Sequence, residues 1–145
     1  MDEIKTKNFE ALYPGKPLPK FRHLSQAECQ MLLTTLAAKV GLLSEASGLE
    51  TLQALEKRSE DIPGVRPTDE GFVLSSLFTQ LQLEPSTVYI NWSRFEDIDE
   101  MPASELSAAF NDLWYPSSDD IEIFDREQKW VLMIRHFDVA QFVRL

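Results

Sequence analysis

Three polar residues near the carboxyl end of the sequence are of types that perform acid–base chemistry. Asp119 and Asp120 follow two serines, and His136 follows an apolar run. An imidazole held by a carboxylate serves as a general base. No nucleophile with an orienting neighbour is visible beside them, so we expect His136 to end a strand and the two aspartates to build a turn. A small hydrolase or metal-dependent enzyme that uses these three residues is the alternative.

The sequence lacks the other common motifs for catalysis and ligand binding. His23, Cys29 and His136 are too widely spaced for a recognised metal-binding motif. No glycine-rich phosphate loop occurs, and the chain has only five glycines. Cys29 lies on an apolar helical stripe, where cysteine behaves as a small hydrophobic residue. We therefore predict a protein without catalytic activity, metal or cofactor.

The acidic residues of the carboxy-terminal half are the most suggestive surface feature. The segment from Phe95 to Glu100 is predicted to be an acidic loop. From Arg94 to the end twelve acidic residues face five basic ones, a net charge of −7, whereas the first 23 residues carry +2. Charge clusters usually face water, but they also steer and select cationic partners. The candidate partner-binding residues are Glu96, Asp97, Asp99, Glu100, Asp119, Asp120 and Glu122.

Composition restricts the class of protein. A chain of 145 residues suits one domain, and its core needs no disulfide. Its 24 acidic and 14 basic residues give a net charge of −10, which nucleic-acid phosphates and anionic lipids would repel. The single cysteine favours a reducing compartment, and no apolar segment suits a signal sequence or a membrane span. We expect a cytoplasmic protein with neither a nucleic-acid nor a membrane partner.

The amino-terminal half is predicted to consist of helices behind an extended arm. Residues 1–24 contain three closely spaced prolines and several apolar side chains, so we expect an extended or partly helical arm that packs on the body. Ser25 and Glu28 form a capping box before an apolar stripe with helical spacing. Gly41 suits the end of that helix. The predicted helices are Ser25–Gly41, Gly48–Glu60 and a third capped by Thr68 that reaches Leu81.

The carboxy-terminal half is predicted to form a sheet. The segment Trp130–Arg135 is apolar on both faces, which places it at the centre of the sheet. Pro102 suits the first turn of a helix inserted between strands. The fold class is therefore α+β, with amino-terminal helices followed by a small, mostly antiparallel sheet that has one inserted helix. The predicted strands are Thr87–Ser93, Ile121–Phe124, Trp130–Arg135 and an edge strand at Gln141–Arg144.

The segment Leu113–Asp120, followed by Ile123-Phe124-Asp125, Trp130 and His136, resembles small bacterial immunity proteins of polymorphic toxin and contact-dependent growth inhibition systems. The resemblance covers the carboxy-terminal part of the chain. It implies stoichiometric inhibition of a cognate toxin, whose basic active site, for example that of a nuclease, is covered by an acidic face. The acidic candidates would then contact the toxin. A homo-oligomeric structural adaptor that associates through its amino-terminal helices is a further alternative.

Overall fold

A seven-stranded sheet forms the middle of the computed structural model, which describes all 145 residues. The strand order is β1-β4-β3-β5-β6-β7-β2, and every neighbouring pair is antiparallel. The predicted α+β class is confirmed, although the sheet has more strands than we predicted. In chain order the elements are α1 (Glu3–Leu12), β1 (Arg22–His23), α2 (Gln26–Lys39), α3 (Gly48–Arg58), β2 (Glu60–Asp61), α4 (Leu74–Gln80), β3 (Thr87–Ser93), β4 (Asp97–Pro102), α5 (Ala103–Leu113), β5 (Ile121–Asp125), β6 (Trp130–Arg135) and β7 (Val139–Arg144).

Helices cover both faces of this sheet, and β6 shows the reason in its sequence. All six of its residues are buried, and successive side chains point to opposite faces. Trp130 and Leu132 pack in the core that includes residues of α1, α4 and α5. Val131 and Met133 pack in a second core with residues of α2 and α3. The prediction that this strand is central and covered on both faces is confirmed.

Capping residues set the ends of the two helices on the second face. The Ser25 hydroxyl accepts a hydrogen bond from the Glu28 backbone N–H, and the Glu28 carboxylate accepts one from the Ser25 N–H. Ser47 and Glu50 make the same exchange at the start of α3. Gly41, with a φ of +78°, follows the end of α2, as predicted. None of the five helices has the length and apolar character needed to cross a lipid bilayer.

Two predicted helix boundaries were wrong. The third helix was expected to begin at Thr68, but α4 begins at Leu74. The backbone N–H and the hydroxyl of Thr68 both donate hydrogen bonds to the Asp138 carboxylate, which holds this residue outside a helix. The second helix ends at Arg58, two residues before the predicted end. Glu60–Asp61 then pairs with β7. The prediction that Gln141–Arg144 is an edge strand was therefore wrong, because β2 lies outside it.

The acidic segment after Phe95 is a strand, so the loop prediction was also wrong. The connecting turn is short, because Arg94 and Phe95 both have positive φ angles. The strand β4 then alternates, with Ile98 buried in the second core and Asp99 directed to the opposite face. These carboxylates are candidates for contact with a partner, but one of them, Asp99, is fully buried and hydrogen-bonded.

The amino-terminal arm packs on the body. Its helix α1 contributes Phe9 to the first core, where the ring lies 5.1 Å from that of Tyr13. The ammonium group of Lys5 donates a hydrogen bond of 2.7 Å to the backbone carbonyl of Leu113, at the end of α5. The arm is therefore attached by both apolar and polar contacts.

Candidate binding surface

Three exposed or partly exposed acidic residues lie at one end of the sheet. Because the strands are antiparallel, the end of β3 and the start of β4 lie at the same end of the sheet as the start of β5 and the end of β6. Glu96 lies in the β3–β4 turn, Asp97 begins β4 and Asp120 precedes β5. We call these three residues, together with His136 and Phe137 of the β6–β7 turn, the sheet-end surface.

An exposed aromatic ring lies in the turn that contacts Asp120. Phe137 is 59% exposed, and its ring meets the imidazole of His136 edge-on with 5.4 Å between the ring centroids. The Asp120 carboxylate accepts a hydrogen bond from the His136 backbone N–H and lies 2.8 Å from its Nδ1 atom. These contacts fix the turn that presents Phe137. Aromatic side chains that are held in this way often anchor protein interfaces.

Glu122, one of the candidate partner-binding residues, is not on the surface. Its side chain is 2% exposed, and its carboxylate accepts hydrogen bonds from Asn91 Nδ2 at 2.6 Å and Arg135 Nη1 at 2.7 Å. Burial raises the pKa of Glu122 to about 7, although the hydrogen bonds and the Arg135 charge favour the ionised form. The expectation of surface exposure was wrong, because this face of β5 lies beneath α2 and α3.

Asp99 is also buried. Its carboxylate accepts a hydrogen bond of 2.8 Å from Trp92 Nε1, lies 3.0 Å from His23 Nδ1 and contacts the amino group of Met1. The same amino group lies 3.5 Å from Asp97, which remains one-third exposed. Asp99 is therefore enclosed by its own chain and is not exposed to a partner.

Two further candidates are occupied by basic side chains. Glu100 pairs with Arg22 and Arg126, each at 3.3 Å, and Asp119 pairs with Lys5. Both carboxylates are mostly shielded from water by these contacts. Of the seven candidate residues, the three acids of the sheet-end surface are the ones left accessible.

The hydrolase alternative required Asp119, Asp120 and His136 to converge. The structure pairs Asp120 with His136, whereas Asp119 binds Lys5 and accepts a hydrogen bond from the Tyr115 backbone N–H. The two aspartates therefore serve different contacts, and neither Asp120 nor His136 is hydrogen-bonded to a serine, threonine or cysteine. Cys29 is buried as predicted, and burial raises the pKa of its thiol.

Many acidic side chains on the outside of the molecule make no ion pair, whereas several basic side chains contact other parts of the chain. Lys39, Arg58 and Arg144 donate hydrogen bonds to backbone carbonyls, while Lys5 and Arg135 are buried. Arg94, beside the sheet-end surface, is exposed and makes no ion pair. The exposed acidic residues that make no ion pair include Glu10, Glu45, Glu60, Glu70, Glu84 and Glu96.

Sequence reasoning missed Phe137 and the burial of two carboxylates. Phe137 carried a usable signal, since a large apolar residue in a polar turn is unlike its neighbours. The sequence holds no signal for the contact of Asp99 with the Met1 amino group, because the two residues are almost a hundred positions apart. Comparisons of the chain with protein-family models, with curated proteins and with solved structures found no match.

Proposed function

We propose that this protein is a non-catalytic binding protein of the cytoplasm that neutralises a cationic bacterial toxin by covering the toxin's basic active site. The proposal rests on the location of Glu96, Asp97 and Asp120 at the same end of the sheet as the exposed ring of Phe137. The resemblance to immunity proteins and the net charge of −10 agree with it.

The two kinds of side chain on this surface have different roles in association. The carboxylates create a negative potential that speeds the approach of a basic partner. The aromatic ring would be desolvated in the complex, and central contacts of this kind mainly slow dissociation. The turn that carries Phe137 is already fixed by the Asp120–His136 contacts, so little ordering entropy would be lost on binding.

Charge reversal tests the proposal. The binding partner in the experiment is the protein encoded by the reading frame next to the gene of this protein, which is the expected toxin. The double variant Glu96→Lys, Asp120→Lys should associate with that toxin about tenfold more slowly, because the steering potential is removed. The wild-type association rate should fall as salt rises from about 50 to about 500 mM. Surface plasmon resonance would measure both rates, and growth of cells that express the toxin would report neutralisation.

The matched control carries the same change in net charge away from the sheet-end surface. Glu10→Lys with Glu84→Lys alters two exposed acids on α1 and before β3, and it should associate nearly as fast as the wild type. The variant Phe137→Ala should dissociate faster with a nearly unchanged association rate. A salt-independent association rate, or equal slowing in both double variants, would refute the proposal. Asp99 is left unchanged because it is buried.

A further inference from the structure

A histidine and two aspartates meet beside the sheet-end surface. The nitrogen of His23 and one oxygen each of Asp97 and Asp99 all lie within 4.8 Å of one another. His23 Nδ1 is 3.0 Å from Asp99 Oδ1 and 3.7 Å from Asp97 Oδ1. Ligands at about 2.0–2.1 Å from a tetrahedral zinc ion are about 3.3 Å apart. These three donor atoms therefore need to move only slightly to share one ion.

The sheet itself brings the three side chains together. Pairing of β1 with β4 places His23 directly opposite Asp99. Asp97 precedes Asp99 by two residues in β4, so both aspartates point to the same face of the strand. The donor set is thus fixed by backbone hydrogen bonding and does not depend on a loop.

The surroundings of Asp99 resemble those of a metal ligand. The indole N–H of Trp92 donates a hydrogen bond of 2.8 Å to Asp99 Oδ2, and such outer partners orient ligating carboxylates in metal sites. Asp99 is completely buried, while His23 is 58% exposed and Asp97 34% exposed. One ligand is therefore rigid, and the other two leave an open side through which an ion could enter.

The cluster already attracts positive charge. The amino group of Met1 contacts Asp99 and lies 3.5 Å from Asp97. A divalent cation in the cluster would take the place of the ammonium group and would neutralise both carboxylates. An imidazole among the donors favours a zinc-like ion over Mg²⁺ or Ca²⁺, which prefer oxygen ligands.

We propose that His23, Asp97 and Asp99 form a binding site for a zinc-class divalent cation that clamps β1 to β4. The argument for this site does not rest on the proposed toxin binding, although Asp97 belongs to both surfaces. Because His23 lies on β1 and both aspartates lie on β4, the bound ion cross-links the amino-terminal segment to the sheet. An ion that binds the folded chain and finds no assembled site in the unfolded chain stabilises the fold.

Titration of the full chain with Zn²⁺ alone tests the site. Calorimetry should show one binding event, and the melting temperature should rise by several degrees, whereas Mg²⁺ should leave it unchanged. His23→Asn and Asp97→Asn should each weaken zinc binding at least about tenfold, as expected for loss of a ligand. Both positions are exposed enough to be replaced without loss of the fold. Asp99 is avoided, because its replacement could unfold the protein.

The second exposed histidine provides a matched control. His136 also contacts an aspartate, Asp120, at 2.8 Å, but no third donor joins them. His136→Asn should therefore bind zinc with the affinity of the wild type. The proposal is overturned if zinc does not raise the melting temperature, if His23→Asn and Asp97→Asn bind as tightly as the wild type, or if His136→Asn loses binding to the same extent.

Discussion

Glu122 illustrates how much a single side chain depends on its position in the sheet. Its carboxylate lies between Asn91 and Arg135 under a layer of helices, and Arg135 reaches outward to Glu56 of α3 at 2.9 Å. The Nε atom of Arg135 has no hydrogen-bond partner, so the network is not fully satisfied. Removal from water opposes ionisation more strongly than Arg135 favours it, and the pKa of Glu122 rises to about 7.

This raised pKa predicts a pH dependence of stability. The pKa of Glu122 is about 7 in the folded protein and has its ordinary value of 4.5 in the unfolded chain, so the folded state holds the proton more tightly. The resulting stabilisation is fully present below about pH 4.5 and is lost as the pH rises through about 7. Relative to Glu122→Gln, the wild type should lose about 3 kcal/mol of unfolding free energy between pH 4.5 and 8. Urea denaturation of both proteins across this range measures the difference, and parallel curves would contradict the prediction.

Lys5 is a second buried charge, and its contacts predict a large effect of substitution. Its ammonium group binds the Leu113 carbonyl and Asp119, and lies 3.7 Å from the centre of the Tyr115 ring. Lys5→Met would leave these acceptors without their donor. We expect a loss of about 2–4 kcal/mol, somewhat below the full cost of breaking a buried pair because Asp119 is partly exposed.

The neighbouring Lys7 is the control for this variant. It is 71% exposed and lies 3.7 Å from Glu3, which is also exposed. Lys7→Met should change the unfolding free energy by less than about 0.5 kcal/mol, since exposed ion pairs contribute little. Equal denaturation midpoints for Lys5→Met and Lys7→Met would show that the buried contacts do not support the fold.

The buried network of Glu122 could have been predicted, but that of Asp99 could not. Glu122 and Arg135 occupy predicted strands of one hairpin, and Arg135 shares a face with two apolar residues that we expected to be covered. A charged residue at such a position needs a charged partner, and Glu122, which pairs with Met133, lies diagonally across the hairpin on the same face. Asp99 depends instead on Met1 and His23, whose approach follows from pairing of a two-residue strand that has no sequence pattern.

At the scale of secondary structure, the start of α3 is fixed by a close contact with the β3–β4 turn. A Cβ atom at position 48 would overlap the carbonyl oxygen of Arg94 and would lie 2.8 Å from its carbon. The atoms concerned belong to the backbone, so a flexible side chain cannot relieve the overlap. Gly48 is therefore required by space, and not by an unusual backbone angle.

This contact predicts that Gly48→Ala destabilises the protein even though alanine favours helices. We expect a net loss of about 1–3 kcal/mol from overpacking. Gly71→Ala is the control, because a Cβ there meets no atom within 4 Å and the reduced freedom of the unfolded chain should make the change neutral or slightly stabilising. Thermal unfolding of both variants compares them. A Gly48→Ala variant as stable as Gly71→Ala would refute the close contact.

Local signals predicted the elements that depend on local physics. The capping box at Ser25 and the glycine at position 41 marked the limits of α2 correctly, because neighbours in sequence satisfy the ends of a helix. Thr68 carried an equally good capping signal, but its hydrogen-bonding groups are taken by Asp138, from a turn far along the chain. The strands β1, β2 and β4 were missed for the same reason, since partners distant in sequence define them.

At the scale of the whole molecule, basic groups near the amino terminus pair with acidic groups of the carboxy-terminal half. The amino-terminal segment is net basic and the carboxy-terminal half is strongly acidic. In the fold Lys5 meets Asp119, Arg22 meets Glu100, and the Met1 amino group and His23 meet Asp97 and Asp99. Four of the carboxylates that we assigned to a foreign partner therefore contact the chain itself. This pairing confines the candidate binding surface to one end of the sheet.

The shortness of the two outermost strands has a consequence for crowded solutions. β1 and β2 contain two residues each, Arg22–His23 and Glu60–Asp61, and all four side chains are exposed. Unpaired backbone donors and acceptors on an edge strand allow a second copy of the chain to add its own strand. Edge strands that are short and carry charged side chains make this pairing unfavourable. If either border strand were replaced by a neutral, extended apolar segment, neighbouring molecules could join edge to edge and begin a fibre.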